Sequence, residues 1–238
     1  MTTALIDADG IVWASSYFTE GFPDHIARAN VNEVLETLFT DLNTQDYILY
    51  LTGNTNFRYS IYPEYKAQRK DKPKPTNFAV CREHLETYWK AYVSEGCEAD
   101  DCIAIDHTAR DYKSLIVSVD KDFDQLQGWH YNPRKKERYL VSPNDATRFF
   151  YTQLLQGDTA DNIKGCDGIG KTKAKRILDS GSNEQEWFGL VREAYGNDDA
   201  LAMNAKCLWL QRKPGEIWQW PEWASPMESI YGLDTGPP

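Results

Sequence analysis

Acidic side chains recur in four short groups along the chain. Carboxylates this close in sequence raise one another's pKa, so each group is costly without a counter-charge. The usual counter-charge is a divalent cation with oxygen ligands, such as Mg2+ or Mn2+. For the densest group the alternative is a helix N-terminus, where acids are favoured by the helix dipole. The four groups are Asp7 and Asp9; Glu98, Asp100 and Asp101; Asp120 and Asp122; and Asp158 and Asp161.

Each acidic group stands beside a predicted strand end, helix start or loop. Asp7 follows an apolar run at residues 4–6, and Asp120 follows another at residues 115–119. Open α/β sheets bind their ligands at the carboxyl ends of the strands, so we expect the acids to converge there. Convergent carboxylates favour a two-metal phosphoryl-transfer site, in which Asp7, Asp100 and Asp120 are the predicted catalytic acids.

A glycine-rich segment follows the fourth acidic group. Residues 165–171 read GCDGIGK, and further cations come directly after them. Glycines let the backbone approach a phosphate closely, and a helix N-terminus there offers unpaired N–H groups. The segment predicts binding to a nucleic-acid backbone through Gly168, Gly170, Lys171 and Lys173. It lacks the Walker A spacing, and the alternative is a helix-turn-helix corner with a solvated lysine face.

A second basic segment interleaves aromatic rings with cations. Residues 62–70 read YPEYKAQRK, in which Tyr65, Lys66 and Arg69 could stack on a base or hold phosphates. The alternative is an ordinary exposed loop. The wider stretch from Arg58 to Lys74 carries six basic residues against two acids, and Lys164 to Arg176 carries five against one.

Apolar periodicity supplies the elements that must position these residues. The pattern indicates an α/β fold with a mainly parallel central sheet flanked by helices, followed by a helical C-terminal region. Predicted strands cover residues 4–6, 47–52 and 115–119, with a hairpin of 129–131 and 138–141. Predicted helices cover residues 24–43, 78–92, 99–109, 184–195 and 199–212, with another that Ser142 caps, Pro143 begins and Gly157 ends. We expect a core over residues 1–155 and a helical region over 156–238 that ends in a tryptophan-rich tail.

Composition narrows the class of protein. The net charge of −10 argues against nucleic acid at first, but the two basic stretches and the clustered acids fit a phosphate substrate held by metals. Five scattered cysteines without a CxxC pattern predict reduced thiols in the cytoplasm. No apolar run is long enough to span a bilayer, and the acidic N-terminus is unlike a secretory signal, so we expect no membrane partner.

Taken together, the motifs resemble those of the 5′ nuclease family, which includes flap endonucleases, the 5′-nuclease domain of bacterial DNA polymerase I and the freestanding 5′–3′ exonucleases of tailed phages. The resemblance is carried in order by LIDADG, FRYSIYPEYKAQRK, EADD, SVDKDFDQL and GDTADNIKGCDGIGKTKAKRIL. It covers about residues 5–178, and the small size is most similar to the phage type. It implies a PIN-like fold, a helical arch over about 57–95 and a helix-3-turn-helix region.

The resemblance also implies roles for individual residues. It implies cleavage near DNA 5′ ends, flaps or junctions, with RNA–DNA hybrids as further substrates, in replication or repair in the cytoplasm of a cell or of a phage host. Lys66 is expected at the scissile phosphate, with Arg58, Tyr65 and Arg69 nearby. The glycine hairpin is expected to hold duplex DNA and a potassium ion. The metal ligands for two Mg2+ ions, with Mn2+ as a substitute, are expected to be Asp7, Glu98, Asp100, Asp101, Asp120, Asp122, Asp158 and Asp161.

One position departs from the family pattern. Relatives commonly carry an aspartate at the end of the second strand, where this chain has Thr52. Two alternatives stay open at this point. The pairing of Asp7 and Asp9 with Asp158 and Asp161 also looks like haloacid-dehalogenase phosphatases, although it leaves the basic motifs unexplained. A non-catalytic DNA-junction binder is the other alternative.

Overall fold

A short apolar strand, β1 (Ala4–Asp7), lies near the middle of a six-stranded sheet. The computed structural model describes residues 2–69 and 72–224. The other strands are β2 (Tyr47–Leu51), β3 (Tyr92–Val93), β4 (Leu115–Val117), β5 (Gly128–Asn132) and β6 (Glu137–Val141). Their order is β3-β2-β1-β4-β5-β6, and all neighbours are parallel except the β5–β6 hairpin. The predicted mainly parallel sheet and its terminal hairpin are confirmed.

Side chains alternate across β1 and divide the core between two faces of the sheet. Ala4 and Ile6 pack with the helices α1 (Asp9–Phe18), α2 (Asp24–Leu42) and α4 (Phe78–Thr87). Leu5 packs on the opposite face with α5 (Ala99–Ala109). Because successive residues of a strand point to opposite faces, this fully apolar strand is buried on both sides.

A second hydrophobic cluster gathers the C-terminal helices. These are α6 (Pro143–Gln156), α7 (Lys171–Leu178), α8 (Glu184–Tyr195) and α9 (Asp198–Leu208). Ser142 caps α6 by accepting a hydrogen bond from the Asp145 N–H, as the sequence predicts. Trp218 is buried in this cluster, and the rings of Trp220 and Trp223 contact Phe188. The rest of the predicted tail, residues 225–238, lies outside the described residues, and the domain boundary near residue 155 stays a prediction.

The structure differs from the predicted elements at several places, and the helix predicted over residues 199–212 ends at Leu208. The sequence missed α1, which begins directly after β1. The helix predicted over residues 78–92 ends at Thr87, because Lys90 adopts a left-handed backbone (φ 57°) that an α-helix cannot continue through. Tyr92 instead pairs with Tyr50 as part of β3, an edge strand too short to show a period of two.

Ahead of α4, the described part of the segment predicted as a helical arch is mostly irregular. Between β2 and α4 the described residues form only a four-residue helix, α3 (Arg58–Ile61), and a 3₁₀ turn at Ala67–Arg69. The glycine hairpin follows a small two-stranded ladder of β7 (Gly157–Asp158) and β8 (Ile163–Lys164). The helix-3-turn-helix region stays a prediction. In the described part of the chain, no helix is both long and apolar enough to cross a membrane.

We expect the buried His107 to make the fold sensitive to acid. Its Nε2 donates to the Gln127 carbonyl at 2.8 Å, so its Nδ1 is the acceptor for the Ser114 hydroxyl at 2.6 Å. Burial lowers the pKa of His107 to about 4 from its ordinary 6.5. Between these values the unfolded chain binds more protons, so the free energy of unfolding should fall by about 2 kcal/mol from pH 7 to pH 5 on this account.

Urea denaturation of the wild type and His107→Gln at both pH values measures this effect. The difference in stability between the two proteins should shrink at pH 5, because glutamine takes up no proton. The exposed His25 is the matched control, and His25→Gln should follow the wild type. An equal pH dependence in wild type and His107→Gln would contradict the prediction.

Candidate active site

Most of the predicted acids line a single cleft at the carboxyl edge of the sheet. Asp7 ends β1, and Asp120 and Asp122 follow β4, at the edge where α5 also begins. The cleft has a volume of about 1490 Å³. Seven of the eight predicted metal ligands line it, namely Asp7, Glu98, Asp100, Asp120, Asp122, Asp158 and Asp161. The structure thus gathers acids that lie more than 150 residues apart in sequence.

Loss of water and, after it, mutual repulsion raise the pKa values of the acids in the middle of the cleft. Burial, Asp9 and Asp120 raise the pKa of Asp7 to about 7. Burial and Asp120 also raise the pKa of Asp122 to about 7. The pKa of Asp100 is raised well above its usual range by burial and by Asp7, with Glu98 and Asp120 adding to the effect. This part of the cleft therefore has an excess of negative charge.

Asp100 is the acid with the least support from the chain itself. None of the hydrogen bonds among residues 2–69 and 72–224 reaches its carboxylate, whereas Asp7 accepts from the Ser118 hydroxyl and Asp120 from the Asp122 N–H. Burying a carboxylate among other carboxylates without a donor costs free energy. A cation in the cleft would relieve that cost.

The donor chemistry of the cleft fits a hard divalent cation. In the described residues, no three His, Cys, Asp or Glu side chains stand ready as a compact ligand set for one ion. Mg2+ does not need one, because it keeps several waters and takes only one or two carboxylates together with substrate phosphates. The acids of the cleft suit that mode of binding better than a closed protein cage.

The basic segment predicted to face the substrate lies along one rim of the cleft. Lys66 has a left-handed backbone (φ 54°), and its N–H donates to the Asp161 carbonyl at 2.9 Å. Its Nζ lies 2.5 Å from Glu98 Oε1 and 3.6 Å from Asp161 Oδ1. Burial opposes its charge, but Glu98 and Asp161 outweigh burial, and the pKa of Lys66 is raised. Arg69 Nη2 donates to Asp161 Oδ1 at 2.8 Å, so Glu98 and Asp161 hold cations of the chain itself.

Asp101 and Arg58 are not in the cleft, which corrects two predictions. Arg58 is 1% exposed and Asp101 0%, and they form a bidentate ion pair with distances of 2.6 and 2.9 Å. Asp101 also accepts the N–H groups of Glu98 and Gln211. Its oxygens are therefore fully engaged away from any metal, and Arg58 is too deeply buried to touch DNA.

Tyr65 is likewise buried and cannot stack on a base. It is 1% exposed, and its hydroxyl lies 2.8 Å from both Glu98 Oε2 and Asp161 Oδ2. Its hydroxyl therefore links the basic segment to the carboxylates of Glu98 and Asp161. A sequence alone does not reveal this, because an aromatic residue beside cations is typical of both a stacking platform and a covered rim.

The glycine hairpin is largely exposed, and its end lies at the cleft. Gly168 (φ 67°), Lys171 and Lys173 are exposed, and Gly170 precedes α7 as its N-cap. Gly170 and Lys171 also line the cleft. Gly165 is required by packing, since a Cβ there would lie 2.3 Å from the Gly157 nitrogen.

Thr52, Asp9 and Lys121, none of which is among the predicted site residues, also line the cleft. The Thr52 N–H donates to Asp9 Oδ2 at 3.0 Å, and the Thr52 hydroxyl accepts the Ala99 N–H at the start of α5. Asp9 thus brings a carboxylate beside the strand end where relatives commonly carry an aspartate. Lys121 adds positive charge at 2.8 Å from Asp122 and 3.6 Å from Asp158.

Comparison with known proteins agrees with this geometry. A family profile described as "5'-3' exonuclease, N-terminal resolvase-like domain" matches residues 2–146. Flap endonuclease Xni of Shewanella oneidensis is 33% identical over 141 residues, 52% of each chain. DNA polymerase I of Bacillus caldotenax is 30% identical over 180 residues, 66% of this chain and 19% of that one. The chain spans about half the length of the Xni relatives it matches.

Solved structures show the same fold. The T5 D15 protein co-crystallised with metal ions superposes with a TM-score of 0.65 at 16% identity, over 87% of this chain and 90% of that one. The catalytic core of Rad2 in complex with DNA gives 0.54 at 12% identity, over 78% and 63%. At these identities the likeness concerns the fold. Because the similar sequences include bacterial ones, a phage origin stays a prediction.

Proposed function

The chain belongs to the 5′–3′ exonuclease family defined by the N-terminal resolvase-like domain, and we propose that it hydrolyses phosphodiester bonds near DNA 5′ ends, flaps and junctions with the help of divalent cations. The observation that carries this proposal is the half-buried Asp100 carboxylate, which faces Asp7, Glu98 and Asp120 without a hydrogen-bond donor among the described residues. Because the chain belongs to this family, we do not propose the haloacid-dehalogenase phosphatase alternative.

Mg2+, with Mn2+ as a substitute, is the proposed cofactor. Asp7, Asp100, Asp120, Asp122 and Asp158 would hold two ions. When bound, the ions would activate a water molecule and stabilise negative charge on the phosphate. Glu98 and Asp161, predicted as ligands, are proposed instead to position Lys66 and Arg69. A potassium ion at the glycine hairpin stays a prediction that rests on the resemblance.

The chain's own residues orient the substrate in this proposal. Lys66 lines the cleft, and two carboxylates keep its ammonium group charged, so this group can pair with the scissile phosphate once DNA enters. Ser118 donates to Asp7 at 2.8 Å and fixes the direction of that carboxylate. Arg69, Lys72, Lys74 and Lys171 line the cleft and can hold phosphates, which carry no sequence information.

Digestion of 5′-end-labelled flap, nicked, blunt and RNA–DNA hybrid duplexes tests the proposal. With MgCl2 we expect products of one or a few nucleotides, or released flaps, and with EDTA none. Product length distinguishes stepwise exonuclease from endonuclease cleavage. Tight junction binding with no cleavage under any divalent cation would favour the non-catalytic binder.

Mg2+ should raise the thermal stability of the DNA-free protein. A cation that binds the folded cleft and relieves the repulsion around Asp100 stabilises the fold by mass action, and a Tm increase of about 5 °C at saturating Mg2+ is expected. Differential scanning calorimetry in MgCl2 and in NaCl of equal ionic strength measures it. Identical melting in both salts would show that the cleft binds no divalent cation.

Exposed lysines at the hairpin should bind DNA without sequence preference. Removing one phosphate contact lowers the slope of log K against log salt by about 1. We therefore expect Lys171→Ala and Lys173→Ala to weaken binding equally for unrelated sequences and to reduce that slope. Lys113→Ala is the matched control, because Lys113 is exposed before β4, at the opposite edge of the sheet. A titration of labelled duplex at several salt concentrations gives both quantities, and slopes like that of Lys113→Ala would rule out the contact.

A further inference from the structure

Two cysteines flank the acidic residues at the start of α5 in sequence. Glu98 is the N-cap of this helix, and its capping box with Asp101 defines the first turn. Cys97 precedes the cap and Cys102 is the fourth helical residue, the two positions that a hydrophobic staple brings together. Their sulfur atoms are 3.6 Å apart. The capping geometry of the helix therefore places both thiols side by side.

The two sulfurs need to move little to become bonded. A disulfide has an S–S length of about 2.05 Å, so the sulfurs must close by about 1.5 Å. Gly96, before Cys97, has a positive φ of 73°, and a Cβ there would meet no atom within 4 Å, so the chain can adjust at this glycine. From this arrangement we propose that Cys97 and Cys102 form a reversible disulfide that makes the cleft responsive to oxidants.

An oxidant of small size can reach this pair. Cys97 and Cys102 are both half-buried, and the neighbouring Tyr92, Glu95 and Gly96 are exposed. The other cysteines lie elsewhere: Cys81 is on the buried side of α4, and Cys166 and Cys207 belong to the C-terminal cluster. Cys97 and Cys102 thus have adjacent sulfur atoms, whereas the other three cysteines lie in other parts of the fold.

Hydrogen peroxide supplies the oxidising equivalents for the reaction. One thiolate attacks the O–O bond, forming a sulfenic acid and releasing hydroxide, which takes up the thiol proton to give water. The second thiol attacks that sulfur and expels a second water as the S–S bond forms. Two sulfurs lose two electrons in total and the two peroxide oxygens gain them. A dithiol reverses the step by becoming a disulfide itself. Intracellular disulfides are typically transient and regulatory.

The disulfide would act on the cleft through the residues it encloses. Glu98 holds Lys66 and Tyr65, and Asp100 faces the other acids. Moving Cys97 toward Cys102 shifts both carboxylates, and misplacement on the scale of 1 Å can cost up to about 10²-fold in rate. The effect on cleavage rests on the proposed nuclease function, and we expect an at least tenfold, reversible decrease in rate.

Thiol counting and cleavage assays on the full chain test the two parts separately. Peroxide should lower the count of free thiols from five to three in the wild type, and peptide mapping should identify a Cys97–Cys102 crosslink. Dithiothreitol should restore both thiols and the rate. Cys81→Ala should keep the loss of two thiols, whereas Cys97→Ser and Cys102→Ala should abolish the crosslink. Circular dichroism verifies that each variant is folded.

Each other outcome has a definite meaning. A different crosslink, or irreversible oxidation of Cys97 without a crosslink, would overturn the disulfide. A crosslink that leaves the cleavage rate of the wild type unchanged would overturn its control of the cleft. If the reduced protein cleaves no DNA at all, the proposed nuclease function fails, while the thiol count still decides the disulfide.

Discussion

Asp100→Asn should lower the rate of DNA cleavage by at least about 10²-fold, the scale of losing one preorganised electrostatic contact in an active site. The same substitution should raise the free energy of unfolding in metal-free buffer. The reason is that the half-buried Asp100 carboxylate faces Asp7 and Glu98, and partial loss of water together with these neighbours raises its pKa. A neutral amide of the same shape removes the repulsion and also the cation ligand. The wild-type carboxylate thus lowers the stability of the metal-free fold while it provides the cation ligand that function requires.

Single-turnover cleavage and urea denaturation on the same preparation measure both effects. Asp124→Asn is the matched control, because Asp124 lies close in sequence to Asp120 and Asp122 but accepts a hydrogen bond from the Tyr139 hydroxyl outside the cleft. It should cleave within about twofold of the wild type, as expected for a substitution away from the reacting groups. A fully active Asp100→Asn variant would remove the metal assignment. A less stable Asp100→Asn variant would contradict the repulsion argument.

Arg58→Ala should destabilise the fold by about 3–5 kcal/mol, because it leaves the buried Asp101 carboxylate unpaired. Arg58 also donates to the carbonyls of Cys207 and Trp209, and both would lose a charged donor. The pair therefore joins α3, the start of α5 and the end of α9. Asp101→Asn should be destabilising for the same reason, with the unpaired charge on the arginine.

Urea denaturation with an unchanged m-value checks this prediction. Arg110→Ala is the control, since Arg110, the C-cap residue of α5, pairs with Asp106 at 37% side-chain exposure. It should cost less than about 1 kcal/mol. If Arg58 contacted DNA instead, Arg58→Ala would leave stability intact and weaken DNA binding, and that result would restore the role predicted from the sequence.

The sequence by itself determined the sheet and the edge at which the acids stand. Apolar runs such as residues 4–6 and 115–119 lead directly into Asp7 and Asp120, and parallel strands bring their carboxyl ends to one edge. This reasoning is local along the chain, so it also located α5 and the Ser142 cap correctly. It failed for β3, because two residues show no periodicity, and the pairing that makes them a strand comes from Tyr50.

Only the tertiary structure decided which acid of the adjacent pair faces the cleft. Neighbouring residues of an α-helix point about 100° apart, so Asp100 enters the cleft while Asp101 enters the core and meets Arg58. The partners that fix Arg58 include the carbonyl of Cys207, 149 residues away. Spacing along the chain specifies which side chains share a helical turn. Which of them is buried depends on the segments that pack against that turn, and these segments are distant in sequence.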